Sequence, residues 1–486
     1  MAEIALALGS TAISAAGAAS TGGLTFFSLT GTQAFMAHFA VRAALGYALN
    51  ALAANQKVPT SRGYQNVNQL GPALPHQIIY GETRVGGAIF YQVLDITDDR
   101  YLYRCIAFAG HEIDSYQAIY VNDEEVTIDA NGNVTSGIHA NQIKITKYLG
   151  TDDQLANEDL LVASPEWSSR HTAKGVAYIV ARFYRASNFP NGVPTITARI
   201  RGKKVYDPRT STTAWSDNPA LIIRDYLTSD YGLEEIDANI NSSKFIDAAN
   251  ACDDLYLGEK TYTCNGSFLL DSSPEDNIRN LLSSMGGTFW NFAGTWAILA
   301  AEERDPVLEL TEDDMRGDLE IATRFSRRDN FNVVKGQYKG EASNDQPDNF
   351  KEVSSGIYLA EDNGIRAISE LNLLFTDNEP MARRIARRYL RRNRRQITVS
   401  GSFGLRALDL TIGDNVTLTS EHLGFSQKLF EVVDWRMGMQ DLQISVTMIL
   451  REMDNEVFTG RLGVLEDEVG NTLLDESGNS LEAIVA

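Results

Sequence analysis

Cysteine is scarce in this chain, with three in 486 residues, at Cys105, Cys252 and Cys264, and no CxxC pair. A disulfide-held scaffold and a zinc or iron–sulfur knuckle are thereby excluded. An odd number of widely spaced cysteines fits assembly in a reducing cytosol. Positive charge is also in deficit. Lys+Arg number 43 against 64 Asp+Glu, a formal net charge of -21. Wrapping nucleic acid needs a cation surplus to neutralise phosphate, so sequence-independent wrapping is disfavoured. DNA that passes close by without being held is not excluded. The histidines, His38, His76, His111, His139, His171 and His422, stand alone, none with a second ligand at i,i+4. There is no GxSxG elbow, HExxH, P-loop or EF-hand loop. No catalytic, cofactor-binding or metal residue is assigned, no cofactor is called for, and no enzymatic role is expected.

The most local absence is of charge: between Ile4 and Val41 there is no Asp, Glu, Lys or Arg. A signal peptide needs a basic n-region, and the one early charge is Glu3. A lipid-spanning helix needs about 20 strongly apolar residues, whereas residues 4–20 are mostly Ala, Gly, Ser and Thr. Small residues let backbones approach closely. The favoured reading is therefore buried helical packing, with Phe35 and Phe39 as anchors on the second piece. Transient membrane contact is the competing one.

What is present is enough chain for several cores, at roughly 100–200 residues per domain. After Pro59 the pattern turns to strands. Residues 77–80 and 84–91 flank Gly81-Glu82-Thr83, which predicts a hairpin, and Gly86-Gly87 predicts a bulge or a close backbone approach. Asn122-Asp123 reads as a tight turn, and residues 176–184 as a strand covered on both faces. Between 218 and 315 the pattern is mixed. Pro219 opens one helix, residues 242–254 form another, and Ser273-Pro274 caps a third that Gly286-Gly287 stops. A hairpin follows around residues 292–294. Residues 325–338 and 353–358 read as strands, 379–395 as a helix opened by Pro380, and 396–403, 415–420, 428–435 and 442–451 as four more strands. The expected organisation is 1–58, an apolar helical segment; 59–206, β-rich; 207–322, an α+β module; 323–455, β-rich with the helix; and 456–486, an acidic tail. The fold class is α+β, β-rich and multidomain.

One charge feature stands against the acidic background. Eight arginines fall between Arg383 and Arg395. At helical spacing Arg383, Arg387 and Arg391 form one ladder and Arg384, Arg388 and Arg392 a second, with Arg395 beyond. Ile385, Ala386, Tyr389 and Leu390 supply an opposing apolar stripe. Like charges at i,i+4 repel unless acids lie nearby. Arginine used throughout favours planar, bidentate pairing with carboxylates. The helix is either laced to acidic groups of its own chain or a neighbouring copy, or it contacts DNA or another protein. These seven arginines are the interface candidates, together with Phe35 and Phe39. At the far end an eight-residue repeat appears, Leu465-Glu-Asp-Glu-Val-Gly-Asn-Thr and then Leu473-Leu-Asp-Glu-Ser-Gly-Asn-Ser. It reads as an acidic tail or as an attachment tag for a partner.

Five segments together resemble the central tail hub, or tip attachment protein J-like, family of tailed bacteriophages. They are HQIIYGETRVGGAIFY at 76–91, HEIDSYQAIYVNDEEV at 111–126, NPALIIRDYLTSDYGL at 218–233, residues 264–300 followed by LELTEDDM at 308–315, and the helix-then-strands region at 379–451. The resemblance implies tube-like β-barrel or sandwich hub domains, two per subunit. It also implies a homotrimer at the distal tip of the tail, in the virion, assembled in the host cytoplasm. The implied partners are the distal tail protein ring, the tape-measure protein inside the tube, and tail fibre or spike proteins outside. DNA would pass through a channel closed until ejection, without specific binding. Family members that continue into long receptor-binding regions differ from this chain. A tail-associated cell-wall or capsule hydrolase, and the equivalent hub of a gene-transfer or secretion particle, are the competing classes.

Overall fold

A computed structural model describes residues 67–458, apart from 71–73, 186–187, 191, 257, 293, 325, 327–328, 341–342 and 441–442, together with the pairs 463–464 and 482–483. The N-terminal segment with Phe35 and Phe39, and nearly all of the C-terminal repeat, lie outside the described residues.

The first unit is built from ten strands: β1 Asn68–Leu70, β2 Gln77–Tyr80, β3 Glu82–Val85, β4 Gly87–Leu94, β5 Tyr101–Ala109, β6 Ser115–Val121, β7 Glu124–Val126, β8 Ile143–Tyr148, β9 Ala177–Tyr184 and β10 Ile196–Arg201. All but β2 form a five-stranded sheet in the order β1-β4-β5-β9-β8 and a four-stranded sheet in the order β3-β10-β6-β7. Alternation along the strands turns Ile106, Phe108, Ile119, Ile179 and Ile200 into one core shared by both sheets. Each such side chain contributes about 1.5–3 kcal/mol on burial. The outer face of the larger sheet is also covered. There the short helix α1, Glu158–Ala163, lays Leu160 against Tyr103, Tyr178 and Trp167. Strand β9 is therefore buried on both sides, as its pattern predicts. The tight turn at Asn122-Asp123 is present, both residues having positive φ (48° and 68°), a region that Asn and Asp tolerate better than most residues.

The hairpin expected around Gly81 does not form. β2 leaves the first unit's sheets and pairs antiparallel with Gly266–Leu269, while β3 pairs with β10. Gly81, at φ +63°, makes the sharp change of direction; a Cβ there would stand 2.1 Å from the Cys264 carbonyl oxygen. The second expected strand is also split at Gly86. Val67 passes so close that a Cβ on Gly86 would lie 2.0 Å from its carbonyl oxygen, and the two halves, β3 and β4, go to different sheets.

The central module holds α2 Pro219–Thr228, α3 Ser242–Asp253 and α4 Pro274–Ser283, with a hairpin of Thr288–Phe292 and Thr295–Leu299. Side-chain caps open all three helices. Asn218 accepts from the N–H of Ala220, Asn241 from that of Lys244 and Ser273 from that of Asp276. The same core takes in Leu373 and Phe375, and the apolar stripe of the arginine helix α6, Glu379–Arg394: Met381, Ala382, Ile385, Ala386 and Leu390. Ahead of α6, residues 353–358 are not one strand. Strand geometry covers Val353–Ser354 alone, and Ser355 then caps α5, Gly356–Glu361, by accepting from the Tyr358 N–H.

The last unit is a six-stranded sheet in the order Leu308–Leu310, Asn415–Ser420, Phe425–Gln440, Gln443–Glu452, Thr398–Phe403, Glu320–Ala322. Its core includes Val399, Phe403, Val416, Phe430, Val446 and Met448. Both edge strands come from the segment before α5, so a stretch distant in sequence closes the sheet on either side. The architecture is β-rich α+β, two sheet-based units with a mixed module between them. Among the described residues no helix is long and apolar enough to cross a membrane.

Candidate interface around the arginine helix

Asn378 caps α6 by accepting from the Met381 N–H, with Pro380 in the first turn. The apolar stripe goes into the central core, and the arginines fan out on either side of it toward their own chain. Arg384 donates to the Thr261 carbonyl and lies 4.6 Å from the centroid of the Tyr256 ring. Burial, then the neighbouring Arg388, lowers its proton affinity. Arg388 donates to the Tyr262 hydroxyl and, at 2.8 Å, to the Ala301 carbonyl. Arg391 donates to the Glu456 carbonyl at 2.9 Å. Arg392 pairs with Glu431, and Arg395 with Asp454 at 2.9 Å and Glu456 at 3.4 Å. Arg383 and Arg387 are half-buried. Of the interface candidates, then, Arg384, Arg388, Arg391, Arg392 and Arg395 are engaged within the chain. The arrangement is that of a bolt: one face of α6 sits in the central core and its C-terminal half is tied to the last sheet.

Three further residues complete the bolt, all of them outside the two arginine ladders. Arg394 pairs with Asp362 below α5 and lies 4.8 Å from the Tyr358 ring centroid. Arg451 donates to the carbonyls of Arg392, at 2.9 Å, and Arg395, at 3.3 Å, capping the helix C-terminus. Arg451 is lowered by burial first and by Arg392 second, but a guanidinium stays charged at any ordinary pH. Glu431, 4% exposed, is its cross-strand neighbour, the acceptor for Arg392 and an ion-pair partner of Arg304 at 3.6 Å. The usable signal was a lone Glu and a lone Arg on facing apolar strands.

A second polar cluster joins the first unit to the central module. Asp225 on α2 accepts from Tyr80 at 2.6 Å and pairs with Lys203 at 2.9 Å, while Tyr231 receives a hydrogen bond from Lys203 at 2.8 Å. Beside it, His111 Nε2 accepts the Ile79 N–H at 3.0 Å, and Nδ1 lies 2.7 Å from the Glu112 carbonyl as donor. Burial pulls His111 down to about 4, so it is neutral at pH 7. These groups hold β2 in place. Among the described residues no group of three His, Cys, Asp or Glu side chains is placed to hold a metal.

Comparison with known proteins bears on what such an arrangement is for. Over 480 aligned residues the chain is 25% identical to the baseplate hub protein pb3 of Escherichia phage T5, covering 83% of this chain and 50% of that protein. The chain spans about half the length of the curated relative it matches. A chain from the virion of a native gene transfer agent particle shares its fold, with a TM-score of 0.57 at 14% identity, over 89% of this chain and 98% of that one. No family model matches the chain. Both similar proteins are particle components, one a baseplate hub protein and the other a chain of a gene transfer agent virion.

Proposed function

We propose that this chain is the central hub at the distal tip of a phage-type tail. It acts there as a homotrimer that joins the tail tube and distal tail ring to fibre or spike proteins and closes the channel until DNA is ejected. The observation that carries this reading is the relationship to a baseplate hub protein over most of the chain. The fold is consistent with it. Two sheet-based units per subunit, offered as tube-like domains, would give a trimer six comparable surfaces for a ring of higher symmetry. The bolt formed by α6 ties the last sheet to the central module, and the Asp225 cluster ties the first unit to that module; together they would hold the two units at a fixed spacing, which a ring adaptor needs. A net charge of -21 lets DNA slide past instead of being gripped. The tape-measure protein is the expected occupant of the axis, next to the N-terminal segment. The role we assign is structural, with no enzymatic step.

Imaging of assembled particles with the chain carrying a small fused marker tests this. Three markers around the tail axis at the distal end support the hub reading. Markers spread along the tail tube, or absent from particles, overturn it. Loss of turbidity or release of glycan from cell walls on adding purified chain would favour a hydrolase instead.

A further inference from the structure

Part of the arginine face of α6 borders open space. Beside Arg388 and Arg392 lies a cavity of about 90 Å³, with Leu282, Leu371, Ile385 and Phe458 in its apolar wall. That size lies between the room for one water and that for a benzene ring. The Arg392 Nε is buried there without a hydrogen-bond partner. Phe458 is also where the continuous described chain stops. The turn just before it, Asn455–Val457, is already held on α6 by Arg391 and Arg395. Beyond Arg461 the chain has Glu466, Asp467, Glu468, Asp475, Glu476 and Glu482, no Lys or Arg, and leucines at 462, 465, 473, 474 and 481. Gly463–Val464 pairs antiparallel with Glu482–Ala483, so both ends of the repeat lie together.

We propose that the acidic repeat, residues 465–481, docks in cis on this cavity, with a leucine entering it and glutamates pairing with Arg388 and Arg392. Reach favours the chain's own tail, because the cavity wall includes the residue from which the tail departs. Charge favours it too, since the repeat is purely acidic and this face of α6 is purely basic. The sequence also indicates which acids pair. Asp-x-x-Gly-Asn occurs in the repeat at 467–471 and 475–479 and once more at 129–133. In that last turn Gly132 has φ +86°, and one Asp129 oxygen accepts from the N–H of Asn131 at 2.9 Å and of Asn133 at 2.8 Å. The aspartate is committed to its own backbone. By the same logic Glu466, Glu468 and Glu476 are the acids left for arginine. This inference is independent of the hub reading.

Hydrogen exchange tests it on the full chain, on a triple variant Glu466→Gln, Glu468→Gln, Glu476→Gln, and on a chain ending at Arg461. The expected result is that amides over 282–288 and 385–392 exchange about tenfold more slowly in the full chain than in either variant. Adding the peptide 462–486 to the shortened chain should restore protection, less so in 0.5 M than in 0.05 M salt, roughly as a screened contact behaves. The glutamine variant alters no folded core, so its failure to lose protection overturns the proposal. Protection that grows with protein concentration also overturns it, in favour of a second copy as occupant.

Discussion

Glu431 and Arg451 are directly opposed across the last hairpin, both 4% exposed, and both reach the end of α6, the glutamate through Arg392 and the arginine through two helix carbonyls. Two buried charges thus serve one joint between the central module and the last sheet. Removing one member of such a set leaves the other buried and uncompensated, at about 3–5 kcal/mol. Glu431→Ala is expected to lower the stability of the last sheet by that amount in urea unfolding followed through Trp435. Glu431→Gln, which keeps an acceptor, is expected to lose less. Equal stability of Glu431→Ala and the parent would mean that the joint is held by apolar packing alone.

His111 gives the first unit an acid limit. Its folded value of about 4 lies below the ordinary histidine value of about 6.5, so the unfolded chain binds the extra proton first. The stabilisation is complete above about pH 6.5 and is lost as pH falls through 4, about 3 kcal/mol in all. Physically, protonation at Nε2 would set an N–H against the Ile79 N–H. Melting of the parent and of His111→Gln between pH 7.5 and 4 checks this. The parent's advantage should shrink steadily below pH 6.5, and a gap independent of pH would contradict the assignment.

Gly81 should tolerate no side chain. Both its positive φ and the 2.1 Å approach of a Cβ to the Cys264 carbonyl oppose alanine; the backbone strain alone amounts to about 1 kcal/mol. Gly81→Ala is expected to reduce soluble yield and melting temperature. Gly258→Ala, also at positive φ (+89°) but with nothing within 4 Å, should show the backbone strain alone.

All three cysteines are buried, and burial raises each thiol, Cys105 and Cys264 to about 12. A thiolate-dependent reagent should therefore label none of them in the native chain within minutes and all of them after denaturation. Fast native labelling of Cys252 or Cys264 would mean that the central core opens locally.

The local signals were read well from the sequence. The cap at Ser273, Pro219 and Pro380 in the first turns of α2 and α6, the turn at Asn122-Asp123 and the four inner strands of the last sheet all obey short-range chemistry. Pairing partners were not legible. Nothing near Gly81 says that Ile78 and Ile79 will find Ser267 and Phe268 in place of the next strand, because a turn glycine fits a hairpin and a change of sheet equally. The arginine run was visible, but its purpose depended on Glu431, Asp362 and Thr261, each far away in sequence. Residues 353–358 misled because Val353 and Tyr358 suit a strand while Ser355 caps a helix, and the cap prevailed.

The exchange of β2 into the central module has a consequence for synthesis. During translation Tyr80 leaves the ribosome long before Gly266 exists to pair with it. The first unit must therefore wait, with one of its strands unplaced, until the chain is more than half made. Low growth temperature, or a chaperone that shields residues 77–80, should raise the yield of folded chain, while a fragment that ends before Gly266 leaves β2 exposed and prone to aggregation.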